Sequence, residues 1–458
     1  MSINLENEII SDMGILSDVA YEEYGGLSRI YIGAEISSDK EGAHTLSPSY
    51  TVIDYIDTPV TDMQALLLKK TGAEEYVIAF RGTQEFADKL VDATIGFANF
   101  NPQFSAAKDF VQAALDMDDS VHNITTENLT LTGHSLGGIL TQSVGAVMGI
   151  KGYAFNPYGT ERLLTGWPNF RPSLVGALTQ VGLYKILDGL GLSSSYAAFA
   201  EENILNISYN DFGTVDGDPL SNLATTLTSD HLGSYLPLFG EEISAGDGHR
   251  MPFLNAAISH YNDILKHFSD NTTFADLSAV YTYGALGDID GYTRVEAMFD
   301  ELGVANAAAG SLSFDLSFSE NFPANFVTLA KNNDAYLYAL VNLNPYTITG
   351  NGADYSFLDN DAFSDQYLTD RQTFLFQTLH PETPSLTGED IDFYDKATGI
   401  EAFADGGVEL GFNTKYSWGD EGNNTIIASV GDNDDHLYES SPKAFSPQRA
   451  VFELDLAA

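Results

Sequence analysis

The chain has 458 residues with a formal net charge of -45 at pH 7, from 65 Asp and Glu against 20 Lys and Arg, and 44% of it is hydrophobic. Length and apolar content suffice for a large packed core, whereas the shortage of Lys and Arg excludes nucleic acid as a partner, because phosphate binding needs clustered cations, and it disfavours anionic membrane surfaces. With no cysteine present, disulfides, thiolate metal sites and Cys nucleophiles are excluded, which leaves serine or carboxylate chemistry.

The first eight residues lack the basic start and apolar core of a signal peptide, and no apolar run reaches the length of a membrane span. From Leu5 to Tyr21 the residues Ile9, Ile10, Met13, Leu16, Val19 and Ala20 recur at helical spacing and predict an amphipathic helix. Gln64–Lys70 and Tyr76–Phe80 read as strands joined by a turn over Thr71–Glu75. The second strand ends in Arg81-Gly82-Thr83-Gln84.

Leu129–Thr132, β-prone and alternating, runs into Gly133-His134-Ser135-Leu136-Gly137, and an apolar helical pattern rich in small residues follows to Met148. Strand, Gly-x-Ser-x-Gly and helix together are the context of a nucleophile elbow. A serine at so tight a turn needs nearly side-chain-free neighbours two residues away on either side, and Gly133 and Gly137 meet that need. The following helix aims its N–H groups and positive dipole end at the serine, so Ser135 is the candidate nucleophile. Acyl transfer also needs two N–H donors for the oxyanion, one after the nucleophile and one from a loop after an earlier strand. Leu136 and Thr83 are the natural pair, with the Thr83 hydroxyl available for a third hydrogen bond.

Ala79-Phe80-Arg81-Gly82-Thr83, followed some fifty residues later by Thr132-Gly133-His134-Ser135-Leu136-Gly137-Gly138, resembles the fungal-type, class three lipases. Asp88–Asp92 and Pro102–Phe110 are similar to that family's loop and helix before the elbow, and the resemblance covers about residues 5 to 265. It implies an α/β-hydrolase fold with a mostly parallel central sheet.

After the elbow helix, Gly152–Pro157 predicts a short buried strand ending in a turn. The apolar stretch from Leu163 to Phe199, broken by Pro and Gly, suits either a pair of core helices or a lid over the site, and 163–199 is the candidate lid. Asn203–Asn210 predicts a strand leading into a loop that holds Asp211, Asp216 and Asp218. A triad acid belongs on such a loop. Gly-Asp-Pro-Leu-Ser is similar to the family's acid segment, which implies Asp218, with Asp216 and then Asp211 as alternatives. Of the later histidines, His260 and His267 fall in a helical pattern over Pro252–Phe268, and His231 suits a capping or structural role. His249 lies in a Gly-rich loop just before that helix, where a hydrolase holds its general base, and Gly248-His249-Arg250-Met251 matches the family's Gly-His-x-Met pattern.

Beyond residue 268 the expectation is a mainly helical extension over 269–400, packed on a catalytic domain of residues 1–268, and a β-rich acidic tail over 401–458. Tyr281–Leu302 and Phe326–Leu343 read as helical, Ser311–Phe318 as a strand, and Phe363–Arg371 as the opening of another helix. Gly419–Ile426 and Val430–Tyr438 resemble degenerate copies of a calcium-binding nonapeptide repeat, which implies a structural calcium near Asp432 and Asp435, with an acidic hairpin that folds without calcium as the alternative. Acidic, cysteine-free composition and the N-terminal residues are similar to those of lipases and phospholipases exported by repeats-in-toxin systems. That implies secretion without a cleaved N-terminal signal, with a cytoplasmic location as the alternative.

These residues together lead to the expectation of a serine hydrolase cleaving lipid esters at an interface, as a triacylglycerol lipase or a phospholipase A1, through Ser135, His249 and Asp218. Its chemistry requires no cofactor. The competing expectation is a non-catalytic hydrolase-fold module for binding or adhesion within a calcium-responsive secreted protein.

Overall fold

The computed structural model describes residues 3–25, 28–58, 63–82, 93–117, 120–157, 193–210, 231–241, 248–285, 291–316, 322–358, 362–384, 390–396, 399–405, 414–419, 425–427, 436–438 and 451–453. Residues 163–192 of the candidate lid over 163–199, the loop carrying Asp211, Asp216 and Asp218, Thr83, and Asp432 and Asp435 lie outside these residues. The chain divides into two compact units, Met1–Asp263 and Ile264–Ala458.

The first unit is built on an eight-stranded sheet whose strands lie side by side in chain order. Its elements are α1 (Ile3–Val19), β1 (Glu35–Ser38), β2 (Thr45–Thr58), β3 (Met63–Lys70), β4 (Tyr76–Phe80), α2 (Ala93–Leu115), β5 (Leu129–His134), α3 (Leu136–Met148), β6 (Gly152–Phe155), α4 (Ser193–Asn203), β7 (Ile204–Asn210), β8 (Ser234–Phe239) and α5 (Met251–Leu265). The strands β1 to β4 pair antiparallel, and β4 to β8 pair parallel. A sheet of this kind, covered by crossover helices, is the α/β-hydrolase architecture.

Alternation along the strands explains the layering. Leu129 and Leu131 of β5, with Tyr76, Ile78 and Phe80 of β4, face a core completed by Phe104, Ala107 and Val111 of α2 and Ile139, Leu140 and Val144 of α3. Thr132 of β5 points to the other face, where its hydroxyl bonds Ser17 Oγ at 2.8 Å and the Met13 carbonyl at 3.1 Å. Helix α1 therefore lies across the sheet from α3. Strand β4 is buried at all five positions, as a strand covered on both faces must be. Helix α5 packs beside α1, with Asn262 Nδ2 donating to Ser11 Oγ at 2.7 Å. Its first turn begins two residues after His249.

The second unit contains α6 (Phe274–Gly284), α7 (Gly291–Glu301), β9 (Leu312–Asp315), α8 (Phe326–Asn332), α9 (Asp334–Val341), β10 (Thr347–Gly350), α10 (Asp365–Leu379), β11 (Ile391–Asp395), β12 (Ile400–Ala404), β13 (Thr414–Trp418), β14 (Thr425–Ile427), β15 (His436–Tyr438) and β16 (Val451–Glu453). Where one helix was expected over Phe326–Leu343 there are two, because Asn333 adopts an extended backbone and its side chain caps α9 through Ala335 N–H. Ser364 caps α10 in the same way through Tyr367 N–H.

β12, β11, β13 and β15 form one sheet in that order. Its core joins Phe374 of α10, Ile391, Phe393, Ile400, Ala404 and Trp418, so residue 400 is the first residue of a strand inside a continuous core. At its centre Arg371 is fully buried, paired with Asp395 at 2.7 Å, bonded to the Val341 carbonyl and stacked on Trp418. Among the described residues no helix is long and apolar enough to cross a membrane.

Candidate active site

β5 ends and α3 begins at Ser135, whose backbone is forced to φ 57° and ψ -119°. That conformation is unfavourable for a side-chain-bearing residue. The crowding around it is backbone against backbone. A Cβ on Gly133 would stand 2.5 Å from the carbonyl carbon and oxygen of Gly137, and one on Gly137 would collide with the Phe80 carbonyl. Both glycines are thus required where β4, β5 and α3 converge. The Ser135 amide donates to the Phe155 carbonyl at 3.0 Å, which ties the turn to β6.

His249 is delivered by the segment that precedes α5, and its Nε2 lies 3.1 Å from Ser135 Oγ. With Nε2 accepting from the hydroxyl, the imidazole is placed to take the serine proton. Ser135 is 2% exposed and His249 7%, so the pair sits in a low-dielectric setting where hydrogen bonds and dipoles act strongly. Leu136 is the first residue of α3, and first-turn N–H groups have no acceptor within their own helix. The structure therefore brings together Ser135, Leu136 and His249 across more than one hundred residues of sequence.

Three further side chains hold the pair. Asn156, fully buried with φ 41°, donates through Nδ2 to the carbonyls of Gly248 at 2.9 Å and His249 at 3.1 Å. Its Oδ1 accepts from Tyr209 N–H at 2.9 Å, which fixes the amide's orientation. His134 places Nε2 2.6 Å from the His249 carbonyl and Nδ1 2.7 Å from the Tyr21 hydroxyl. Burial pushes the Tyr21 phenol well above its usual pKa, so it stays protonated. The sequence reading passed over all three. Asn156 carried a faint signal, an Asn-Pro pair after a strand, since Asn tolerates the left-handed region; Tyr21 carried none.

His260 lies on α5, and His267 bonds the Ala307 carbonyl through Nδ1 at 2.7 Å, while the His231 ring stacks on Tyr235. Neither of these two contacts involves Ser135.

Sheet order and the strand-to-helix turn define the class, an α/β-hydrolase. Residues 13–164 match the family model of the Tle-like phospholipase domain, a phospholipase-like family. No curated protein matches the chain by sequence. Among solved structures the chain is similar to the Lip2 lipase of Yarrowia lipolytica at 15% identity and a TM-score of 0.33, covering 51% of this chain and 79% of that one. It is also similar to a triacylglycerol lipase of Penicillium expansum, at 14% identity and a TM-score of 0.32 over 52% and 81% of the two chains. An esterase of Pyrobaculum calidifontis matches at 14% identity and a TM-score of 0.22 over 57% and 94%.

Proposed function

We propose that the protein is a serine esterase that cleaves carboxylic esters of lipids, with phospholipid as the substrate class. The observation that supports this most directly is the strained Ser135 with His249 Nε2 3.1 Å from its Oγ. In this proposal Ser135 attacks the ester carbonyl as His249 accepts its proton. The imidazolium then protonates the leaving alcohol, and water repeats the cycle on the acyl-enzyme. The Leu136 N–H, joined by Thr83, stabilises the oxyanion, and Asp218 orients the imidazole, with Asp216 and Asp211 as alternatives. The match of residues 13–164 to a phospholipase-like family favours phospholipid over triacylglycerol, and the charge of -45 favours zwitterionic over anionic headgroups. Structural calcium near Asp432 and Asp435, lid motion of 163–199 and secretion without a cleaved signal belong to the same proposal.

Fatty-acid release from phosphatidylcholine vesicles and from triolein emulsion, each with and without calcium, tests it. The expected outcome is release from phosphatidylcholine in excess of triolein, lost in Ser135→Ala. Equal release by Ser135→Ala would remove the serine mechanism, and release from triolein alone would reassign the substrate.

A further inference from the structure

His134 flanks both nucleophile and base, adjacent to Ser135 in the chain and with its ring centroid 4.9 Å from that of His249. Its two ring nitrogens face different chemistry. The His249 carbonyl at 2.6 Å offers only lone pairs, so Nε2 must carry the hydrogen. In the neutral ring Nδ1 is then an acceptor, and the Tyr21 hydroxyl at 2.7 Å supplies the matching donor. The chain of donors therefore runs in one direction, from the Tyr21 hydroxyl through the His134 ring to the backbone of the base.

We infer that His134 is a positioning residue, held neutral in its Nε2–H tautomer by Tyr21, that fixes His249 against Ser135 through the His249 main-chain carbonyl. The inference rests on the esterase reading for its kinetic consequence, but its tautomer is a property of the folded chain alone. A base on a short segment before a helix has few restraints of its own. Clamping its carbonyl from the nucleophile's own turn, beside the Asn156 Nδ2 that donates to the same oxygen, ties the Ser135–His249 distance directly to the elbow. The ring neither gives up nor takes a proton in the reaction, because its Nε2–H is held by the His249 carbonyl and its Nδ1 lone pair by the Tyr21 hydroxyl. Misplacement of a reacting group by about 1 Å can cost on the order of a hundredfold in rate, so the effect belongs in kcat and not in KM.

The test compares His134→Ala, His134→Gln and Tyr21→Phe on a short-chain nitrophenyl ester, with ring-15N NMR of the histidines in the parent and in Tyr21→Phe. Glutamine keeps an N–H donor at the reach of Nε2. Expected are a kcat lowered roughly tenfold to a hundredfold in His134→Ala with KM changed less than about twofold, and recovery in His134→Gln to within about fivefold of the parent. The parent His134, identified by the signal that His134→Gln removes, should show a protonated Nε2 and an unprotonated Nδ1, and Tyr21→Phe should populate the other tautomer. The inference is overturned if His134→Ala turns over like the parent, if glutamine is as impaired as alanine, or if the hydrogen resides on Nδ1. A parent without esterase activity would remove the functional reading instead, and the NMR result would still decide the tautomer.

Discussion

At the scale of single residues, Ser135 carries both the proposed chemistry and a conformational cost. Its φ of 57° and ψ of -119° suit glycine, and a side chain held in such a region costs about 1–3 kcal/mol. Ser135→Gly relieves that strain and returns roughly 0.4–1 kcal/mol to the unfolded chain. The net expectation is a stabilised protein, by about 1 kcal/mol, with ester hydrolysis abolished. Chemical denaturation read beside the parent checks it; a destabilised glycine variant would mean that Ser135 makes contacts worth more than its strain. Residue identity was legible in the sequence where backbone geometry dictates it. The two glycines and the serine of the elbow follow from steric crowding that any reader of Gly133–Gly137 can reconstruct. His249 was singled out by its loop before a helix and by the resemblance to the family's Gly-His-x-Met pattern, and its Nε2 lies 3.1 Å from Ser135 Oγ. Tyr21 and Asn156 were not singled out, because their roles exist only once positions 113 and 93 residues apart meet.

At the scale of elements, patterns of apolar residues revealed β3, β4, β5, β6 and α3, whose burial is nearly continuous. Three strands of the sheet escaped, β1, β2 and β8. β2 carries Pro48 and exposes Thr45, Ser47 and Pro48 at its start, and β8 carries Pro237; proline ordinarily breaks a strand pattern. Proline fits there because β8 is the edge of the sheet.

One element-level feature bears on pH. Asp18, at the C-terminal end of α1, has its carboxyl pKa pushed up to about 7, first by burial, then by Glu41 and Asp39 against the opposing help of the Lys40 N–H. The carboxylate oxygens of Asp18, Asp39 and Glu41 lie within 4.8 Å of one another. A carboxyl raised on folding binds its proton in the native state where the unfolded chain has released it, so stability falls as pH rises from the unfolded value of 3.8 through about 7. Asp18→Asn keeps an acceptor for Lys40 N–H without a charge. Its melting temperature should match the parent near pH 4 and exceed it by at least roughly 2 °C at pH 8. A constant difference across that range would show that Asp18 is not the titrating group.

At the scale of the whole molecule, the net charge of -45 imposes self-repulsion on both compact units. Raising ionic strength from about 0.01 to about 0.15 M shortens the screening length from roughly 30 to 8 Å. Melting temperatures in sodium chloride with a chelator present should therefore rise over that interval, and a flat profile would mean that local ion pairing already neutralises the field. The overall fold class was legible because the elbow and its flanking strands have one common architectural solution. The second unit was less so. Its sheet draws β11 from the region read as helical and β13 and β15 from the region read as tail, and its centre is an ion pair, Arg371 with Asp395, that no local pattern announces.

The central claim is that Ser135 is a nucleophile activated by His249, and covalent labelling tests it without choosing a lipid. A fluorophosphonate probe incubated with the full chain, followed by digestion and mass spectrometry, should modify Ser135 stoichiometrically, and His249→Ala should slow the modification by on the order of a hundredfold or more. Label on other residues, or labelling of Ser135 at an unchanged rate in His249→Ala, would contradict the account.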